Sequence, residues 1–394
     1  MKHLPGSVWR LMIAYSLLMA GTSLMVLLAG IIGTDFAPSR DLATLPIALV
    51  VVGLASSTLP TGRLLHRFGR RPVFIAYGFI AIASALLAML SLTEGTFTGF
   101  CAAAFMMGWA GAAGHQYRFA ALEAVPAEMA PRATSFLLLG GILAAFVGPE
   151  LAVRGRGLLS TEYAGSYLLL SMSYVIGMVI ISFHQDNRVI ETDHENSHRP
   201  LREILRSPVV ILAVLAAALG YGVMTFLMTA TPISMHMHSG FSLEDTKLVI
   251  QSHIVAMYLP ALVFAWFYDR LGYKGLLWAG AGIYLLCIVI AMIDTDFLHF
   301  WLALVLVGVG WNFLFLSGTN LLAKGYRSNE RFRVQSVNDF IVFSIQALAS
   351  LASGWVLYQW QWSGVLWACI PLVLGFSALL WAFRNDNCLQ RDTG

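Results

Sequence analysis

Residues 62–71 read GRLLHRFGRR and residues 265–274 read AWFYDRLGYK, which are two copies of one pattern. Each copy follows an apolar run and places a glycine, Gly69 or Gly272, among cationic side chains. A motif that recurs at corresponding places along an apolar chain indicates two related halves. The repeat therefore predicts a duplicated architecture.

The composition indicates that lipid is the solvent of most of the chain. Of 394 residues, 58% are hydrophobic and only 11% are charged, against roughly 45–50% and about 25% in soluble domains. So few charges do not cover a water-exposed surface, so most side chains face the lipid bilayer. This excludes a soluble enzyme and a nucleic-acid binder. The four cysteines form neither a disulfide framework nor a CxxC site.

Apolar stretches of about 20 residues predict membrane-spanning helices. We expect an uncleaved first helix and twelve spans, near 8–33, 42–65, 72–92, 96–120, 131–152, 163–183, 208–235, 245–268, 275–293, 299–323, 332–357 and 363–383. The longest polar stretch between spans follows the sixth. We therefore predict an N-terminal half at 1–183, a cytoplasmic linker at 184–207 and a C-terminal half at 208–394 with a short cytoplasmic tail.

The distribution of Lys and Arg predicts the orientation of the spans. If the N-terminus is inside, the outer segments hold only four cations, Arg40, Arg154, Arg156 and Lys247. Most other Lys and Arg residues then lie in inner segments, as the positive-inside rule requires. Both termini are therefore expected to be cytoplasmic.

The repeated motif resembles the G-x-L-A-D-R-x-G-R-R loop of the major facilitator superfamily. The resemblance implies an all-α membrane protein with 12 transmembrane helices in two pseudo-symmetric six-helix halves, which works by alternating access. His66 stands where the family has Asp, whereas the second copy keeps Asp269. The resemblance implies a conformational role for Gly62, His66, Arg67, Gly69, Arg70, Arg71 and Gly272.

A proton-coupled efflux transporter is the weaker of two alternatives within this superfamily. The fifth span contains Gly148-Pro149, as drug exporters do, but Glu150-Leu151 follows where those proteins have further glycines. In the fourth span, Ala104 stands where the exporters carry an Arg. The exporter signature is therefore half absent.

Two short motifs predict a site for a soft metal ion. The seventh span contains Met224 and Met228, and the eighth contains His253 and Met257, each pair at i and i+4 on one helical face. The spans are consecutive and antiparallel, so the pairs are expected at equal depth. Three thioethers and one imidazole suit Cu(I) better than oxygen-preferring cations. The structural alternative is that Met fills the core and His bonds to a neighbouring polar group.

The two motifs are similar to those of the CcoA-like copper importers, a branch that supplies cbb3-type cytochrome c oxidase assembly. This resemblance implies a bacterial inner-membrane importer that carries copper, as Cu(I) or a small chelate, as its substrate and needs no cofactor. Some relatives look like riboflavin importers, so the alternative is an organic solute that stacks on Trp311, Phe313 and Phe315. We expect a monomer. The alternative from another class is a non-transporting membrane receptor or an intramembrane enzyme, but HExxH and Ser/His signatures and a long sensory domain are absent, so we expect no enzyme.

Other polar residues are candidates for secondary roles. Met235, His236, Met237 and His238 lie at the outer end of the seventh span, where they are predicted to collect copper or simply to occupy an interfacial loop. Ionisable groups in or near spans are candidates for gating or coupling. These are Arg118, Glu123, Glu150, Asp269, Arg270 and Asp339.

Overall fold

A computed structural model describes residues 4–125, 130–184, 199–327 and 330–383. Every regular element in these ranges is a helix, and they contain no β-strand. The predicted all-α fold is therefore confirmed.

The first half consists of six long helices. They are α1 (Gly6–Phe36), α2 (Leu45–Phe68), α3 (Arg70–Thr93), α4 (Phe97–Glu123), α5 (Ala130–Gly155) and α6 (Ala164–Ser182). A short 3₁₀ turn, Arg40–Leu42, precedes α2. Gly69 separates α2 from α3 with φ 82°, a conformation that glycine adopts without a Cβ clash.

The second half begins with a short helix, α7 (Leu201–Leu205), inside the predicted linker, of which residues 185–198 lie outside the described ranges. The long helices that follow are α8 (Pro208–Pro232), α9 (Leu243–Tyr258), α10 (Phe264–Ile293), α11 (Phe297–Gly325) and α12 (Arg331–Ala382). Helix α8 continues as a π-helix over Ile233–His238, and a 3₁₀ segment, Leu259–Val263, joins α9 to α10.

Two of these helices contain a break that separates two membrane spans. Helix α10 has non-helical backbone at Gly272, and α12 has it at Gln361. Ten described segments are long and apolar enough to cross a membrane, including Arg333–Ala382, whose 50 residues extend roughly 75 Å at 1.5 Å per residue. That length crosses a hydrocarbon core of about 30 Å twice. With α5, which has 26 residues, the helices match the twelve predicted spans.

The chain divides into two compact units. The first contains Met1–Glu191 and Ser242–Gln251, and the second contains Thr192–Phe241 and Ser252–Gly394. In the first unit, α1 packs mainly against α5, and α2 packs mainly against α4. In the second, α8 packs against both α11 and α12, and α10 packs against α11. The core of the second unit thus surrounds α8 and α11.

Candidate functional site

Helix α8 places a tyrosine and two methionines on one face. Tyr221, Met224 and Met228 are spaced i, i+3 and i+7, so their side chains lie along one stripe of the helix. Met224 and Met228 are 7% and 5% exposed, and residues 222–235 are all buried. A Cβ on Gly220 would meet Leu314 of α11 at 3.4 Å, and one on Gly222 would meet Ile345 of α12 at 3.3 Å. Small residues therefore let α8 lie close to both neighbours.

Helix α9 holds His253 in a fixed orientation. The imidazole is fully buried, and its Nδ1 donates a hydrogen bond to the carbonyl oxygen of Leu304 in α11, at 2.7 Å. A carbonyl oxygen only accepts, so the proton is on Nδ1 and the lone pair is on Nε2. Nε2 is buried without a hydrogen-bond partner among the described residues. His253 therefore presents an unused acceptor inside the second unit.

Met257 lies one turn farther along α9 and is 9% exposed. Its backbone oxygen accepts a hydrogen bond from the Asn312 amide of α11, at 2.7 Å. A Cβ on Gly308 would lie only 2.6 Å from the backbone oxygen of His253. Hydrogen bonds and a glycine contact thus hold the His253–Met257 turn against α11.

Trp311 on α11 contacts residues from both helices that carry the predicted ligands. Its ring centroid lies 5.2 Å from that of Tyr221 on α8 and 6.2 Å from that of Tyr258 on α9. The four predicted copper ligands therefore lie on helices that pack against the same helix, α11. Their placement as one coordination sphere stays a prediction.

The aromatic cluster consists of Tyr221, Trp311, Phe315 and Phe343. Trp311 and Phe315 are stacked at 4.8 Å, and Tyr221 meets both rings edge-on at 5.2 Å. Phe343 of α12 completes the cluster at 5.9 Å from Tyr221. Of the three aromatics expected to stack on an organic solute, only Phe313 lies elsewhere, against Phe267 at 5.1 Å. Residues two apart on a helix point to different faces, which explains the separation.

The four residues at the outer end of α8 lie in the π-helix and differ in exposure. Met235 is fully buried, and His236 Nδ1 bonds to the backbone oxygen of Phe241 at 2.8 Å. Met237 and His238 are exposed. Only part of this set is therefore accessible to an ion from outside the protein.

Among the gating candidates, Glu150 has the clearest partners. Its carboxylate accepts from Arg154 at 3.0 Å and from Lys247 at 2.9 Å, and Lys247 also bonds to Glu244 at 2.6 Å. This charge cluster lies entirely within the first unit, because residues 242–251 belong to it. Asp339 accepts from the Asn338 amide at 3.1 Å. The side chains of Arg118 and Glu123 lie outside the described part of the chain.

The repeated motif forms two turns. Gly272 has φ 63°, and the side chain of Asp269 is exposed. The guanidinium of Arg270 lies 3.6 Å from the ring centroid of Trp266, and Arg70 donates to the backbone oxygen of Gln116 at 3.4 Å. Arg67 lies over the Phe68 ring, whereas the side chain of His66 is outside the described residues. The cationic side chains of the motif thus contact aromatic rings or the backbone oxygen of Gln116 in α4.

An ion pair without a local sequence signal joins Arg199 to Glu330. The guanidinium donates to both carboxylate oxygens, at 2.9 and 2.7 Å, and the backbone N–H groups of Arg199 and Arg327 add bonds at 3.2 and 2.9 Å. The Arg199 hydrogen bond and these backbone donors lower the pKa of the Glu330 carboxyl to about 2. The partners are 131 residues apart, and no local pattern connects them.

The chain is similar to known membrane transporters. The family model described as Major Facilitator Superfamily matches residues 11–341. The riboflavin transporter RfnT of Brucella anthropi is 33% identical over 366 residues, which cover 92% of each chain. The MFS-type transporters YdeG and YddS of Bacillus subtilis are 30% and 27% identical over 92% and 93% of this chain, and the matches cover 86% and 88% of the relatives.

Proposed function

Since the chain belongs to the major facilitator superfamily and is a multi-pass membrane transporter, we propose that its cargo is riboflavin or a closely related planar solute. The observation that carries this proposal is the 33% identity to a riboflavin transporter over 92% of both chains. It favours the organic-solute alternative over the copper interpretation of the Met and His motifs.

The aromatic cluster supports the same cargo. Planar rings gain dispersion and quadrupole interactions when they stack on, or meet the edge of, aromatic side chains. Within the aromatic cluster, Tyr221 and Phe315 are partly exposed, whereas Trp311 and Phe343 are buried. A flat ring that stacks on these residues would be held by apolar walls, as small-molecule sites usually hold their ligands.

The distribution of cations supports the orientation proposed for the protein in the membrane. We place it in a bacterial inner membrane with both termini in the cytoplasm, because few Lys and Arg residues fall in the outer segments. The proposed function is import of the cargo by alternating access between the two halves.

Uptake of radiolabelled riboflavin by a bacterial strain that cannot make the vitamin tests the proposal. Cells that produce this protein should accumulate riboflavin above empty-vector cells. Trp311→Ala should lower the uptake at least tenfold, because it removes the ring that contacts Tyr221 and Phe315. Phe313→Ala is the matched control, since that ring belongs to a different contact. Riboflavin uptake equal to the empty-vector level would contradict the proposal.

A specific observation also favours copper as a second candidate cargo. The Nδ1 bond to Leu304 leaves the Nε2 lone pair of His253 buried and unused, which is how a protein orients an imidazole for a metal ion. Met224, Met228 and Met257 are buried in the same unit and would supply soft thioethers. Copper would be the transported substrate, and its Cu(I) state suits these ligands.

Cellular copper content and cbb3-type oxidase activity test this second candidate. Copper transport predicts that Met224→Leu, Met228→Leu, His253→Gln and Met257→Leu each reduce both quantities. Met172→Leu is the matched control, because Met172 is 51% exposed on α6. Unchanged copper content in all four variants would exclude a copper function for these residues.

A further inference from the structure

Trp311, a member of the aromatic cluster, and Gln346, one helical turn after Phe343, each have a buried polar atom that lacks a hydrogen-bond partner within the described residues. One is the indole Nε1 of Trp311, a residue that is only 4% exposed, and the other is the side-chain oxygen Oε1 of Gln346 on α12. Folded proteins pair nearly all buried polar atoms, so an unpaired donor and an unpaired acceptor need an explanation. A bound ligand that completes both bonds is one.

Trp311 and the segment of α12 that contains Gln346 pack against the same turn of α8. Gly220 faces Trp311 and Leu314 of α11, while Gly222, two residues later, faces Ile345 of α12. Trp311 and Ile345, the residue before Gln346, therefore lie against the turn of α8 that carries Tyr221. Gln346 also lies three residues after Phe343, on the same face of α12 as this member of the aromatic cluster.

The chemistry of the two atoms identifies the class of ligand. Indole N–H only donates, and the amide oxygen only accepts. A metal cation needs lone pairs, so the indole N–H cannot serve it. A planar ring whose edge carries a carbonyl beside an N–H presents an acceptor and a donor in the complementary order. The isoalloxazine ring of riboflavin has such an edge, formed by its imide group.

Resting on the riboflavin function proposed above, we propose that Trp311 and Gln346 recognise the imide edge of the transported ring. The Trp311 N–H donates to a ring carbonyl, and the Gln346 side-chain oxygen accepts the ring N–H, while the aromatic cluster contacts the ring face. Polar groups that stay unpaired with the wrong ligand discriminate strongly against it. The chain should therefore select flavins with a free imide N–H.

Titration of purified full-length protein in detergent with riboflavin and with 3-methylriboflavin, followed by flavin fluorescence, tests the proposal. The methyl group replaces the imide hydrogen and leaves the ring planar. The wild type should bind riboflavin about tenfold more tightly than the methylated ligand, the ratio expected for one lost hydrogen bond. Gln346→Leu should bind both ligands with equal affinity, near that of the wild type for 3-methylriboflavin.

Trp311→Phe separates the two hydrogen bonds, because it keeps an aromatic ring and removes the donor. This variant should bind both flavins about tenfold more weakly and keep the preference for riboflavin. Gln359→Leu and Trp355→Phe are the matched controls, since both residues are exposed on α12. Each variant is first checked for a monodisperse elution profile and an unchanged unfolding temperature.

The possible outcomes separate the two proposals. A wild type that binds neither flavin would contradict the riboflavin function and, with it, the recognition of the imide edge. A wild type that binds both flavins equally, or a Gln346→Leu variant that keeps the preference, would overturn the roles of Trp311 and Gln346 alone. Riboflavin transport would then stand without them.

Discussion

Substitution of Gly308 by alanine should separate α9 from α11 at the level of His253. The new Cβ would lie 2.6 Å from the His253 backbone oxygen, 2.9 Å from the Ala256 Cβ and 3.0 Å from the Met257 backbone nitrogen. Two of these atoms belong to the backbone, which cannot rotate away as a side chain can. The helices must therefore move apart by about 0.8 Å to reach the 3.4 Å of ordinary contact. That shift would also stretch the 2.7 Å bond from His253 to Leu304.

The expected loss follows from three contributions. Overpacking costs about 1–3 kcal/mol, and loss of the His253 hydrogen bond adds about 1 kcal/mol. The lower backbone entropy of alanine in the unfolded chain returns about 0.4–1 kcal/mol. We therefore expect Gly308→Ala to lower the free energy of unfolding by about 2 kcal/mol, seen as an unfolding temperature lower by a few degrees in detergent. Transport should fall as well.

Gly282→Ala on α10 is the control, because a Cβ there would meet no atom within 4 Å. Its unfolding temperature should stay equal to that of the wild type or rise slightly, because the alanine gains no bad contact. If Gly308→Ala unfolds at the same temperature as Gly282→Ala and transports normally, the close approach of α9 to α11 does not support the site.

Three further predictions concern polar contacts. Glu330→Gln should flatten the acid dependence of the unfolding temperature. The pKa of Glu330 is lowered from 4.5 to about 2, so its pair with Arg199 stabilises the wild type above pH 4.5, and this stabilisation is lost as the pH falls towards 2. Equal pH profiles of the unfolding temperature in the two proteins would contradict this. Glu150→Gln should lower the free energy of unfolding by at most about 1 kcal/mol, because the carboxylate is 36% exposed, and the loss should shrink in a Lys247→Met background. Tyr284→Phe should cost about 1 kcal/mol in thermal unfolding, since its hydroxyl donates to a backbone carbonyl of α8 at 2.7 Å; an unchanged unfolding temperature would count against that bond.

The fold was predictable because lipid imposes a simple rule. A span needs about 20 apolar residues and satisfies its own backbone hydrogen bonds, so the spans follow from hydropathy alone. The two copies of the motif lie where α2 and the first part of α10 end, and Gly69 and Gly272 both have positive φ. The π-helix over Ile233–His238 was not predictable, because the change to i→i+5 bonding depends on local packing and has no composition of its own.

The site was predictable only along each helix. The i, i+4 rule pairs Met224 with Met228, and His253 with Met257, along a helical face, but it does not indicate which neighbour a face meets. The structure shows that the partner of His253 is Leu304, 51 residues away on α11. Gln346 had no sequence signal, because a lone glutamine in an apolar span resembles any interhelical hydrogen-bond partner.

The two candidate cargoes make different use of the same residues. A copper ion would bind the thioethers and His253, but it gives no role to the Trp311 N–H, which cannot coordinate a cation. Riboflavin offers both a planar ring and a chain of hydroxyl groups. Thioethers pack favourably against aromatic rings, and a hydroxyl can donate to the buried Nε2 of His253. A flavin thus gives a partner to the soft side chains as well as to the aromatic cluster, so the Met and His motifs do not by themselves require a metal.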